Sequence, residues 1–352
     1  MDDSVQDVVV TSTPSGLRRP RPTLEEVAAY AQVSRATVSR VINGSPRVSP
    51  EARAAVERAV ERLGYVANSA ARSLVTQRTD SVALVVSEPD VRVFSEPFFG
   101  GVVRGASQEL TATGKQLVLI MAQGDGDRAR VERYVGGGHV DAVLLLSLHG
   151  ADPLPAALAR AGVPTVIGGR PLSGTELPYV DVDNRGGARD AVTYLLEQGR
   201  TQIATITGPQ DMGVGVDRLA GYRDALGTRR YRRSLIAYGT FGQQSGEQAM
   251  AELLDRVPRL DAVFAASDLM AVGALRALRR AGRRVPEDVA VVGFDDLDLA
   301  TMTEPALTTV RQPTVEMGRQ MASLVLSLAG RPHAPRARGL ILPTELVTRQ
   351  SA

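Results

Sequence analysis

The stretch TLEEVAAYAQVSRATVSRVIN, residues 23–43, decides how the rest of the chain is read. Thr23 with Glu26 three residues on forms a capping box, in which each residue satisfies a free backbone N–H of the other. Leu24, Val27, Ala28 and Ala31 then recur at the spacing of one apolar helix face. Ser34 caps a second helix whose inner stripe is Val38, Val41 and Ile42 and whose outer face carries Arg35, Ala36, Ser39, Arg40 and Asn43. Only a tight turn fits between the two, as a helix-turn-helix requires. A third helix opens at Ser49-Pro50-Glu51, runs along Ala52, Val56, Val60 and Leu63, and stops at Gly64.

A short helix coated with Arg, Ser, Thr and Asn is a surface for reading nucleic acid rather than for catalysis. A helix fits the major groove with its N-terminal residues at the base edges. Arg35 or Arg40 suits a bidentate bond to guanine, and Ala36 suits contact with a thymine methyl. Thr37, Ser39 and Asn43 suit phosphates, and Thr23 and Ser34 at the helix starts are counted with them. The charge distribution agrees. The net charge is only +2, yet residues 18–78 carry eleven Arg against five Glu while residues 1–17 carry three Asp and no basic residue. A compact basic block beside a nearly neutral bulk marks a nucleic-acid module attached to something else.

At 352 residues the chain suits two or three domains, and its 43% hydrophobic and 23% charged content is that of a globular protein. The start, MDDSVQDVVVTSTPSG, is acidic where a signal peptide is basic, and residues 1–20 are expected to be a disordered tail. Without cysteine there is no disulfide, thiolate chemistry or Cys-ligated zinc. A cytoplasmic location, no membrane partner and no cofactor are expected.

The pattern from Thr23 to Asn68, TLEEVAxxAxVSxxTVSRVINGxxxVSPEARxxVxxAxxxLGYxAN, resembles the LacI/GalR family of bacterial transcription regulators. The resemblance implies that the second helix enters the major groove with Arg35, Ala36 and Arg40 at the bases. One departure is Gln32, at a turn position where this family commonly has Gly. If that site needs positive φ, Gln costs on the order of 1 kcal/mol. The resemblance also implies a hinge helix after Asn68 that folds on DNA and wedges Leu74 between base steps in the minor groove.

Beyond Ser81, apolar runs alternate with helical stretches. The runs are 82–86, 117–121, 142–146, 164–167, 203–207, 261–265 and 289–294, which predicts parallel sheets covered on both faces. Ligands of such sheets sit at the carboxyl ends of the strands. Asp183-Asn184, Ser267-Asp268 and Asp295-Asp296 stand just past strand ends, and Arg218 is placed at the opening of the helix that follows Gly208–Met212. The three His residues, at 139, 149 and 333, are scattered, so no transition-metal site is expected. Alternating donors and acceptors suit a neutral polyol, with Phe98 or Phe99 in SEPFFGG to stack on a sugar ring.

The motifs VDVDN, RLAGY, ASDLMAVGAL, VPEDVAVVGFDD, LTTVRQP and LPTELVTRQS resemble the two-lobed effector domain of the same family. The resemblance implies effector contacts at Asn184, Arg218, Asp268, Asp295 and Gln312, with Phe98 or Phe99 added. RTDSVALVVSEP, DAVLLLSLHG and ITGPQDM are similar to actinobacterial regulators of cellobiose and β-glucoside use. The expected fold is therefore an all-α helix-turn-helix domain (21–67), a hinge helix and linker (68–79), and an α/β periplasmic-binding-protein-like effector domain (80–352). The lobes of the last are expected at roughly 80–182 and 183–310, with crossover strands and a return helix. The expected function is a sugar-released repressor that binds a pseudo-palindromic operator. Repression follows from the resemblance, since the residues leave the sign of the response open. The chain stops at Ala352 without a leucine heptad, so a homodimer is expected. A free-standing sugar carrier would have no use for residues 23–75. A nicotinamide enzyme would need G-x-G-x-x-G where Ser87-Glu88-Pro89 stands, so no enzyme is expected.

Overall fold

The computed structural model describes residues 22–42, 44–66, 78–150, 152–172, 174–330 and 339–352. Asn43, Asn68, Leu74 and the tail at 1–20 lie outside the described residues, as does the hinge helix. The chain forms two compact units, divided between Gln77 and Arg78.

The first unit holds α1 (Leu24–Ala31), α2 (Arg35–Ile42) and α3 (Pro50–Leu63). The capping box is present: Thr23 Oγ1 accepts the Glu26 N–H at 3.3 Å, and Thr23 N–H donates to Glu26 Oε2 at 2.7 Å. Ser34 Oγ accepts the Thr37 N–H at 3.1 Å, so the cap assigned to it exists. Gln32 ends α1 at φ 53°, the left-handed conformation in which a β-carbon is strained. The three helices share a core of Val27, Ala28, Val38, Val41, Val56 and Ala59. Ala59 was absent from the expected stripe of α3, whereas Ala52 belonged to it and is only half-buried. A 3.6-residue period puts 52, 56, 59, 60 and 63 on one face, and Ala52 belongs to the first turn of α3.

The second unit holds two six-stranded sheets. The first has the order β11-β5-β4-β3-β1-β2, with β1 (Ser81–Val86), β2 (Gln116–Met121), β3 (Ala142–Leu146), β4 (Thr165–Gly168), β5 (Tyr179–Val182) and β11 (Leu340–Leu342). The second has the order β12-β10-β9-β8-β6-β7, with β6 (Ile203–Thr207), β7 (Ile236–Tyr238), β8 (Ala262–Ala265), β9 (Ala290–Asp295), β10 (Thr308–Arg311) and β12 (Glu345–Val347). Every pairing is parallel except β10 with β12. Central strands are apolar, β3 throughout and β1 after Ser81, because helices cover both faces.

The chain passes between the lobes three times. It crosses from β5 into α8 (Asn184–Glu197), returns from β10 into α13 (Thr314–Gly330), and crosses once more between β11 and β12. The helix α13 packs on α5 (Pro97–Ala112) of the first lobe. The other helices of the cleft are α4 (Asp90–Ser95), α9 (Gly213–Arg230) and α11 (Asp268–Arg280). Arg218 does not open its helix as expected. Met212 is the extended cap residue, so α9 starts at Gly213 and Arg218 lies in its second turn.

Candidate functional site

On the first unit, Arg35, Ala36 and Arg40 of α2 are exposed, while Thr37 and Ser39 are half-buried. The Ser34 and Thr37 hydroxyls bond each other at 2.9 Å, tying the start of the helix together. Arg35 Nε lies 3.1 Å from Glu25 Oε1, an exposed pair between α2 and α1. Such a pair is weak and screened by salt, so it orients the guanidinium without holding it back from a stronger acceptor. Glu25 is thus a residue of this surface that the sequence reading did not assign.

On the second unit, the carboxyl ends of both sheets face one cavity, as the strand-end rule requires. The cavity volume is about 100 Å³. Arg218 lies at its base, 3% exposed. Its Nε donates to Asn184 Oδ1 at 2.9 Å, and its Nη1 donates to Ala266 O at 2.6 Å and to Asp295 Oδ1 at 3.3 Å. The guanidinium stacks 3.6 Å from the Phe294 ring centroid. Gln312 Nε2 donates to Asp295 Oδ1 at 2.5 Å. Asn184 Nδ2 in turn donates to Asp181 Oδ1 at 2.9 Å, and Asp181 Oδ2 accepts the Arg170 N–H at 2.8 Å. A continuous hydrogen-bond chain therefore runs from Arg170 through Asp181, Asn184 and Arg218 to Asp295 and Gln312.

Burial sets the electrostatics of this base. It pushes the Asp295 carboxyl up to about 6, against the opposing charge of Arg218. It pushes Asp181 up to about 6 as well, although two backbone N–H groups oppose the shift. The same desolvation pulls Arg218 below the usual guanidinium value, with Asp295 and Asp181 working the other way. Asp295 also takes φ 121°, a strained backbone for any residue with a β-carbon. The next residue, Asp296, anchors the loop by accepting from Arg311 Nε at 2.7 Å and Arg349 Nη2 at 2.6 Å.

The first lobe supplies the opposite wall. Phe98 and Phe99 meet edge to face, but Phe99 is buried in the core while Phe98 is half-exposed toward the cavity. Asp268 behaves differently from the other expected contacts and does not line the cavity. Its carboxylate accepts from Thr309 Oγ1 at 2.5 Å and from the Leu297 N–H at 2.8 Å, bracing the loop that carries Asp295. The helix cap beside it is Ser267, whose Oγ accepts the Met270 N–H at 3.2 Å.

Several cavity residues were not foreseen. Arg92 of α4 and Glu96, which stands between α4 and α5, pair with each other at 2.8 Å beside the cavity, and Arg92 sits 5.4 Å from the Phe241 ring centroid. Burial pushes the Glu96 carboxyl up, against the pull of Arg92. Arg170 pairs with Asp217 through two hydrogen bonds of 2.8 Å, joining β4's end to α9. Arg170 follows the end of β4 and obeys the strand-end rule, whereas Arg92 and Glu96 lie beyond the loop after β1 and carry no strand-end signal. Among the described residues no His, Cys, Asp and Glu cluster has the makings of a metal site. No helix there is long and apolar enough to cross a membrane. The lining mixes fixed donors, acceptors and apolar faces, which suits an uncharged, hydroxyl-rich ligand.

Residues 23–68 match the family described as bacterial regulatory proteins, lacI family, and residues 192–352 match the periplasmic binding protein-like domain. The chain is 56% identical over 339 residues to the HTH-type transcriptional regulator CelR of Thermobifida fusca, covering 95% of this chain and 99% of that one. A solved transcriptional regulator CelR–cellobiose complex shares 53% identity at a TM-score of 0.76, covering 94% of this chain and 100% of that one. The lac repressor dimer bound to operator and the anti-inducer ONPF gives a TM-score of 0.84 at 27% identity, covering 94% of this chain and 99% of that one. The helix-turn-helix, the paired sheets and the full-length likeness to CelR agree: the chain belongs to the lacI family of bacterial regulatory proteins.

Proposed function

We propose that this protein is a cytoplasmic repressor that binds a pseudo-palindromic operator as a homodimer and releases it when cellobiose or a related oligosaccharide occupies the cleft. The observation that carries the sugar is the polar base built on Arg218, Asn184, Asp295 and Gln312, in a chain 53% identical to one solved with cellobiose. Phe98 and Phe241 offer apolar faces for a pyranose ring. The DNA-binding residues are Thr23, Ser34, Arg35, Ala36, Thr37, Ser39, Arg40, Asn43, Asn68 and Leu74. The domains are a tail (1–20), a helix-turn-helix domain (21–67), a hinge (68–79) and an effector domain (80–352). The lobes of the effector domain are roughly 80–182 and 183–310. One α2 reads only one half-site, so specificity requires a second copy. The cleft belongs to a regulator and performs no catalysis. For sugar to release DNA, it must bind one state of the dimer better than the other, since equal affinity shifts nothing.

Fluorescence anisotropy on the palindromic DNA upstream of this protein's own gene, titrated with a panel of disaccharides, tests the reading. Cellobiose is expected to release the DNA at concentrations where maltose and lactose do not. Retention of the DNA with every sugar would reject it. In the same assay Arg40→Ala is expected to weaken operator binding by about 1–3 kcal/mol and to relax one base position. Undiminished affinity would remove Arg40 from the bases.

A further inference from the structure

His149 stands in the loop after β3, in the first lobe, with its ring one-third exposed. Its Nε2 lies 2.9 Å from Glu88 Oε1, which follows β1 in the same lobe. Its Nδ1 lies 2.9 Å from Asp211 Oδ2, which belongs to the loop between β6 and α9 of the second lobe. Beside it, the Gly150 N–H donates to Asp211 O at 2.6 Å. A neutral imidazole has one N–H and one bare lone pair. In that form it would satisfy one carboxylate and turn the lone pair against the other. Both contacts are favourable together only for the imidazolium, which donates from both nitrogens.

The charges around the ring support this reading. On the first-lobe side Glu88 also accepts from Arg92 Nη1 and from Ser147 Oγ, and Arg92 is shared with Glu96. In the same loop as His149, Asp152 faces Arg128 at 3.3 Å. On the second-lobe side Asp211 is flanked by the uncharged Gln210 and Met212, and His149 is the cation it meets. The hydrogen bond to Glu88, above all, holds the His149 imidazole above its usual range, with burial opposing and the bond to Asp211 adding to the rise. Burial would raise Glu88, but the bonds from His149 and Ser147 and the charge of Arg92 outweigh it and hold that carboxyl below its usual range.

We infer that His149 is an affinity-determining clasp that couples closure of the cleft to uptake of a proton. The clasp rests on the proposed sugar response. Opening the lobes parts His149 from Asp211, whereas Glu88 stays with it. The ring therefore binds a proton more tightly in the closed form than in the open one. A group whose pKa rises on closure favours the closed form fully while it is protonated in both forms. That advantage fades as pH rises through the open-form and then the closed-form value. Sugar affinity must then fall as pH rises through the open-form value, which Glu88 already holds above the ordinary imidazole value of about 6.5, by at most about tenfold per pH unit for one proton. Arg170–Asp217 joins the same two lobes through a guanidinium instead of an imidazole. It is the counterpart of the clasp that contains no histidine.

Calorimetric titration of the full chain with cellobiose at pH 6.5, 7.5 and 8.5, in two buffers of different ionisation heat, tests the inference. The wild-type chain is expected to take up a fraction of a proton per sugar bound and to lose affinity roughly three- to tenfold across the range. His149→Gln should bind with no proton uptake and a flat profile. Asp211→Asn, which removes only the second-lobe end of the clasp, should flatten it too. Asp217→Asn should weaken binding by the same factor at every pH. Proton uptake that persists in His149→Gln, or a wild-type chain that binds sugar with none, overturns the clasp while leaving the sugar reading intact. A chain that binds no cellobiose at any pH overturns the sugar reading and the clasp with it. Thermal unfolding of each variant separates a flat profile from a failed fold.

Discussion

Arg218→Met is expected to abolish the sugar response while DNA binding persists. The guanidinium is buried and bonds the Asn184 and Asp295 side chains and the Ala266 carbonyl while stacked on Phe294. Met fills a similar volume but supplies no donor, so two side chains of the cavity base lose the partner that orients them. A lost hydrogen bond to a charged group costs about 1.5–3 kcal/mol, so sugar affinity should fall by roughly a hundredfold. Removing one member of a buried pair also destabilises the fold by about 3–5 kcal/mol, because the other charge is left uncompensated. The sign of its pH dependence is fixed. Burial already pushes Asp295 up to about 6, and without Arg218 its carboxyl rises further. A group with a raised folded-state pKa stabilises the fold below its unfolded value and loses that contribution as pH rises through the folded one. The variant should therefore lie closer to the wild type in thermal stability at pH 5 than at pH 8. Wild-type release by cellobiose in the anisotropy assay would remove Arg218 from the site.

The helix-turn-helix was legible because its signals are local. The Thr23–Glu26 box, the Ser34 and Ser49 caps and the Gly64 stop each act within four residues, and all appear in the structure. The left-handed Gln32 was anticipated through the resemblance, which places Gly at that turn, and not from a local signal of its own. The central strands were legible from their unbroken apolar runs, whereas β7 was not. It is three residues long at a sheet edge, too short to show a period. The cavity base was reached by the strand-end rule for Asn184, Arg218 and Asp295, and through the family resemblance for Gln312. Asp268 obeys the same rule yet turns away, because position past a strand does not determine which way a side chain points. His149 illustrates the opposite failure. As one of three scattered His residues it looked inert, and only the approach of two lobes, 62 residues apart in sequence at Asp211, gives it partners. Contacts of that kind are made by tertiary closure and leave no local pattern.

The second large effect is expected at Gly105, where α5 meets the returning helix α13. A β-carbon there would lie 1.8 Å from the Val315 carbonyl oxygen and 2.9 Å from Arg319 N. Across the interface, a β-carbon on Gly318 would lie 2.0 Å from the Val102 oxygen. These are backbone atoms of packed helices and cannot swing aside, so even one methyl must push α13 outward. That helix carries Met317 into the cavity wall and follows directly on Gln312, the donor to Asp295. Displacing it opens the first lobe's core and loosens the cavity base together. Gly105→Ala should therefore cost about 3 kcal/mol or more in stability and weaken sugar binding. Gly100, on the same helix, is exposed, and a methyl added there would meet nothing within 4 Å, which makes it the matched control. Gly100→Ala removes backbone freedom without a clash and should stabilise the chain by up to about 1 kcal/mol. Denaturant unfolding of the two variants separates packing from helix propensity, because the two effects have opposite signs. If Gly105→Ala proves as stable as Gly100→Ala, the close helix approach does not hold the return helix in place.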